Sequence, residues 1–142
     1  MVESVSACDP VCMGTTATLR VVLVDDEEPV RALLGITLGL QPGQHFMVVG
    51  EAMDGNQAIE VCGRTHPDCV VLDLLMPKMG GMEAIPLIRL CSPESKIVVF
   101  SALAAEQMAA QAMAQGAHAY IEKSHFMSEL PDTLDKVCAS AA

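Results

Sequence analysis

Five polar residues of this chain each stand directly behind an apolar run. Asp25 and Asp26 follow Leu19-Arg20-Val21-Val22-Leu23-Val24, and Asp73 follows Cys69-Val70-Val71-Leu72. Ser101 follows Lys96-Ile97-Val98-Val99-Phe100, and Lys123 follows the stretch from Ala117 to Glu122. Three carboxylates held together repel one another and stay ionised only beside a cation or a base. Asp oxygens with backbone oxygens and waters suit a hard octahedral ion, and Mg²⁺ is the natural candidate. Lys123 adds a mobile point charge and Ser101 a hydroxyl donor. Metal, cation and donor together can bear the spread negative charge of a phosphoryl group in transfer. Any one of these residues alone is an ordinary polar end to a strand; five at the ends of alternating runs are not.

The elements that must position them alternate strand and helix from Leu19 to about Cys138. Unbroken apolar runs of four to six residues suit parallel strands buried on both faces. After the first strand a helix begins near Pro29, where a missing N–H does no harm. Val30, Leu33, Leu34 and Leu38 give it an apolar stripe, and Gln41-Pro42-Gly43 ends it. A second strand spans roughly His45 to Glu51. Asp54-Gly55 turns the chain into a helix with Ala58, Ile59 and Cys62 on its inner face, closed by His66-Pro67. The third strand ends in Asp73. A loop from Leu74 to Gly81 leads to a short helix ending near Cys91, with Pro86 expected in its first turn or at a bend. The fourth strand precedes a helix over Ala105 to Gln115, capped by Gly116. The fifth strand, Ala117 to Glu122, precedes a last helix starting near Ser128 as N-cap. Glu129 and Asp132 suit the positive end of that helix, while Leu130, Leu134 and Val137 face inward. The order implies an α/β fold with a parallel sheet covered on both faces and right-handed crossovers. The reactive edge is at the carboxyl ends of its strands.

Composition bounds the rest. The 142 residues make one domain, 51% apolar but only 3% aromatic with no Trp, so Val, Leu, Ile, Ala and ten Met must build the core. A formal charge of −10 repels phosphate backbones and argues against direct nucleic-acid binding. The six cysteines, Cys8, Cys12, Cys62, Cys69, Cys91 and Cys138, include no CxxC pair and read as reduced thiols. Residues 1–18 show no period and read as a disordered extension without a signal peptide, and 139–142 as a tail. No apolar run is long enough to span a bilayer, so a soluble cytoplasmic protein with no membrane contact is expected.

The chain resembles the receiver domain of bacterial two-component response regulators, of the chemotaxis-regulator kind. The resemblance rests on Val22-Leu23-Val24-Asp25-Asp26-Glu27-Glu28-Pro29-Val30-Arg31 and on Val70-Val71-Leu72-Asp73-Leu74-Leu75-Met76-Pro77-Lys78-Met79-Gly80-Gly81. It rests also on Val98-Val99-Phe100-Ser101-Ala102 and Tyr120-Ile121-Glu122-Lys123, and it covers residues 19–138. It implies a flavodoxin-like (βα)5 fold with a five-stranded parallel sheet in the order 2-1-3-4-5. It implies that Asp73 accepts a phosphoryl group from a sensor histidine kinase or phosphotransfer protein. Asp26, Asp73 and the backbone carbonyl of Leu75 would bind Mg²⁺, with Asp25 acting partly through water. Ser101 would bind a phosphoryl oxygen, Lys123 would pair with Asp73 and then with the phosphoryl group, and Tyr120 would be the switch aromatic. The phosphorylated state would reshape the surface of the fourth helix, fifth strand and fifth helix to engage a downstream protein or a second copy. Such a domain is a phosphoacceptor that assists its own phosphorylation and slow dephosphorylation rather than an enzyme.

The sequence departs from that pattern at two positions. Ser124 stands where many relatives carry Pro, and Gly80 where a polar residue is common. Leu75 and Leu103 lie two residues past the acceptor and the hydroxyl; apolar cover there implies slow loss of the phosphoryl group. Between Ala104 and Gly116 the only charge is Glu106, which suits either a good helix former or a partner surface. Two alternatives stay open: a phosphorylation-independent interaction module, and the receiver fragment of a DNA-binding regulator. Val48-Val49-Gly50-Glu51-Ala52 resembles receivers followed by such a domain, and with no output domain after Ala142 any output would come through contacts or a missing segment. A phosphatase on a similar fold would carry Asp-x-Asp, which Asp73-Leu74-Leu75 lacks.

Overall fold

The computed structural model describes residues 18–139. The extension expected over 1–18, with Cys8 and Cys12, lies outside the described residues except for Thr18, and the tail lies outside except for Ala139. The elements are β1 (Leu19–Val24), α1 (Glu28–Gly39), β2 (Phe46–Ala52), α2 (Gly55–Thr65), β3 (Cys69–Leu72) and α3 (Gly81–Cys91). They continue with β4 (Lys96–Ser101), α4 (Ala105–Gln115), β5 (Ala119–Glu122) and α5 (Phe126–Ala139). All strand pairs are parallel and the order is β2-β1-β3-β4-β5, the flavodoxin-like order expected.

Period-two alternation splits each strand between two cores. Val22, Val24, Val70, Leu72, Ile97 and Val99 meet Ala58 and Cys62 of α2, Ile85 and Ile88 of α3, and Ala112 of α4. Val21, Leu23, Cys69, Val71, Val98 and Phe100 meet Leu34 and Leu38 of α1 and Leu130 and Leu134 of α5. Because both faces are covered, the strands read as unbroken apolar runs. Between Val21 and Val22 the β1–β2 register skips Val49, a bulge in the edge strand.

Several local expectations change. Leu33 is 43% exposed, because α1 turns Leu34, Thr37 and Leu38 to the sheet and Leu33 falls on the outer face. Pro86 is the sixth residue of an uninterrupted α3, past the first turn; the burial of Ala84, Ile85 and Ile88 around it holds the helix across the lost donor. Ser128 is not the N-cap of α5, which begins at Phe126 straight after a 3-10 turn over Lys123–His125. The fifth strand starts at Ala119, two residues late, because the Ala117 N–H still closes α4 on Ala112. Gly116 does cap α4, at φ 124°, a conformation that favours glycine.

Candidate functional site

The backbone first sets the acidic residues in place. The Asp25 N–H donates to Ala52 at 3.1 Å and the Asp73 N–H to Val24 at 3.0 Å, so both acids extend their strands by one rung. Asp25 is fully buried, Asp73 is 3% exposed and Asp26 faces solvent. One carboxylate oxygen from each lies within 4.8 Å of the others. Below Asp73, α3 begins so close that a Cβ on Gly81 would stand 2.1 Å from the Asp73 carbonyl. Only glycine allows that approach, and the Gly81 N–H closes the Asp73 loop on Leu74 at 3.0 Å.

Lys123 completes the cluster. Its Nζ lies 2.9 Å from Asp25 Oδ2 and 3.3 Å from Asp73 Oδ2, with the Phe100 ring centroid 5.6 Å away. Burial opposes the Lys123 charge, but contact with Asp25 and Asp73 outweighs it and raises its pKa. Asp73 titrates upward to about 6, because burial and the Asp25 charge outweigh Lys123 and the Leu75 N–H. Two adjacent buried carboxylates are thus incompletely neutralised by one ammonium.

This donor set fits Mg²⁺. It consists of hard oxygens, carries excess negative charge, and includes Asp25 Oδ2, a buried atom that accepts no hydrogen bond of ordinary geometry despite the nearby ammonium. A cleft of about 260 Å³ opens onto it, lined by Asp26, Glu27, Asp73, Leu75, Ala102 and Lys123. Of the residues singled out in the sequence, Asp26, Asp73, Leu75 and Lys123 line this cleft and Asp25 lies behind them. The Leu75 N–H donates to Asp73 Oδ1 at 3.3 Å.

Ser101 is fully buried, and its neighbour Ala102 forms the wall. The Leu103 N–H donates to Ser101 Oγ at 3.1 Å, and the Tyr120 hydroxyl donates to the Leu103 carbonyl at 2.8 Å. The predicted hydroxyl and aromatic therefore meet through Leu103. The Lys123–Ser124 bond is trans, as are all peptide bonds among the described residues.

A family model described as "Response regulator receiver domain" matches residues 21–135. The chain belongs to the response regulator receiver family. It is 36% identical over 118 residues to the chemotaxis protein CheY of Thermotoga maritima, covering 83% of this chain and 96% of that protein. It is 38% identical over 126 residues to a protein-glutamate methylesterase/protein-glutamine glutaminase of Paramagnetospirillum magneticum, covering 87% of this chain. There it spans only 35% of the relative's length. A LuxR-family two-component response regulator from Aurantimonas superposes with a TM-score of 0.81 at 34% identity, covering 87% of each chain.

Two further groups support this receiver's site. Arg31 is buried and donates from Nη1 to the Asp25 carbonyl at 2.5 Å and from Nε to Glu51 at 2.8 Å, holding the backbone of the acidic pair. Arg31 stands in the first motif, but nothing in the sequence marks which way α1 turns it. Glu122 accepts from the Ala105 N–H at 2.8 Å and caps α4, whose own N-cap is Ala104. The sequence signal was the absence of Ser, Thr, Asp or Asn at that helix start.

Proposed function

We propose that this receiver takes a phosphoryl group onto Asp73 from a phosphohistidine of a sensor kinase or phosphotransfer protein, in the cytoplasm and with Mg²⁺. The carrying observation is the ion pair of Asp73 with Lys123 inside a three-carboxylate cluster that opens onto a cleft. Asp26, Asp73 and the Leu75 carbonyl would hold the ion, with Asp25 behind. When bound, it supplies positive charge to the phosphoryl oxygens and neutralises the acids. An Asp73 oxygen attacks phosphorus in line, the P–N bond breaks, and the donor imidazole leaves. Lys123 moves its contact from the carboxylate to the transferred group and offsets the charge there. The docking side is supported by α1, which starts at the cleft rim and, beyond the exposed Glu28 of its first turn, presents the uncharged Ala32, Leu33 and Ile36 outward.

The acyl phosphate adds charge and acceptor oxygens beside Ser101. Turning Ser101 Oγ toward it breaks the bond from Leu103, and through Leu103 the change reaches Tyr120 and the start of α4. The surface of α4, β5 and α5 is then the output, toward a downstream protein or a second copy. The test is transfer from a labelled phosphohistidine protein. Label should pass to the wild type with Mg²⁺ and not to Asp73→Asn; binding to that donor without transfer would instead favour a phosphorylation-independent module.

A further inference from the structure

Far from the acidic cleft, two cysteines face one another. Cys69 opens β3 and is fully buried; Cys138, on the last turn of α5, is half-buried. Their Sγ atoms are 2.6 Å apart, though 69 residues separate them in the chain. Cys138 continues the stripe that Leu130 and Leu134 bury, which aims its thiol at the base of β3. A disulfide needs a further approach of only about 0.5 Å, to an S–S bond of roughly 2.05 Å.

We propose that Cys69 and Cys138 are a modification site, a thiol pair that a hydroperoxide converts to a reversible disulfide stapling the end of α5 to β3. The less buried partner, Cys138, reacts first. The Cys138 sulfur attacks one peroxide oxygen, the O–O bond breaks, and a sulfenic acid and water form. The Cys69 sulfur then attacks the Cys138 sulfur, the S–S bond forms, and the S–O bond breaks. The departing hydroxide takes the Cys69 proton as water. Two thiols lose two electrons in all, and hydrogen peroxide becomes two waters. A dithiol reductant reverses the change by exchange.

The division of labour follows from the surroundings. The Cys69 S–H bond lowers the Cys138 pKa, whereas Cys69 is raised by that same bond and by burial. The other described cysteines differ: Cys62 is fully buried with its thiol pushed up to about 12, and Cys91 turns its sulfur toward the Ile59 carbonyl at 3.4 Å. The pair stands at the opposite end of β3 from Asp73, about 13 Å away for a four-residue strand. The staple therefore restrains α5 without entering the cleft.

The test uses the full chain carrying Cys8→Ser and Cys12→Ser, treated with graded hydrogen peroxide, alkylated and digested without reductant. The expected result is a linked peptide pair containing Cys69 and Cys138, a mass lower by two hydrogens, and reversal by dithiothreitol. The linked form should melt roughly 5–15 °C higher. Cys138→Ser, at the half-buried position, should abolish link and shift together, while Asp73→Asn should form the link as the parent does. Cys69 and Cys138 recovered separately, with Cys138 oxidised to sulfinic acid, would overturn the proposal. So would a link to Cys62 or Cys91.

Discussion

Lys123 reaches across fifty residues of sequence to place its Nζ 3.3 Å from Asp73 Oδ2, while the same nitrogen lies 2.9 Å from Asp25. One ammonium is thus shared between two buried acids, and the excess negative charge shapes how this receiver should respond to pH, cations and substitution.

The pKa of Asp73 stands at about 6 in the fold, against 3.8 for an ordinary Asp. The folded state holds this proton more tightly than the unfolded chain does. Its contribution to stability is therefore fully present below the ordinary value and is lost as pH rises through about 6. At neutral pH without divalent cations, the ionised carboxylate should cost roughly 1–3 kcal/mol. Asp73→Asn should accordingly raise the melting temperature at pH 7 and flatten its fall between about pH 4 and 7. A less stable variant would count against the assignment.

Mg²⁺ should act on the same excess charge. Titrating it into the wild type should stabilise the fold by up to about 2.7 kcal/mol at a hundred times its dissociation constant, read as a rise in melting temperature. Asp26→Asn removes the solvent-facing member of the proposed ligand set without opening the core and should abolish most of that shift. An equal shift in the variant would place the ion elsewhere.

Lys123→Met should leave the Mg²⁺ response in place but slow phosphorylation by about a hundredfold, the usual scale for removing one charge-stabilising group. Rates from a small phosphodonor, followed by stopped samples, would show it. An unchanged rate would make Lys123 a structural counter-charge only.

Arg31 gives a stability prediction. Arg31→Met leaves the buried Asp25 carbonyl without its donor and should cost about 1–3 kcal/mol in urea denaturation. A neutral result would mean that the Arg31 contacts are replaced by water.

The lifetime of the modification tests the apolar cover. Leu75 borders the cleft and is 55% exposed, while Leu103 is partly buried against the core beside Ser101. Loss of the phosphoryl group should be slow, and Leu75→Asn should hasten it several-fold by helping water in. A wild-type half-life of only seconds in Mg²⁺ would rule this out.

The sheet and its acidic edge were legible because a strand covered on both faces must be apolar throughout, so Asp25, Asp73, Ser101 and Lys123 stand out where each run stops. Arg31 was not, because its burial depends on how α1 rotates, and the same rotation puts Leu33 outside. Pro86 and Ser128 misled for a local reason: propensity and capping rules describe isolated helices, whereas tertiary contacts carry α3 across its proline and the turn after Lys123 starts α5 early. The depth of Ser101 and the meeting of Cys69 with Cys138 depend on distances across the fold that no spacing in the chain encodes.

The most direct measurement is the intact mass after incubation with a small phosphodonor, with and without Mg²⁺, for the wild type and Asp73→Asn. The proposed chemistry predicts a gain of one phosphoryl group in the wild type only when Mg²⁺ is present, and no gain in the variant. An unmodified wild type, or a variant modified as readily as the wild type, would contradict it.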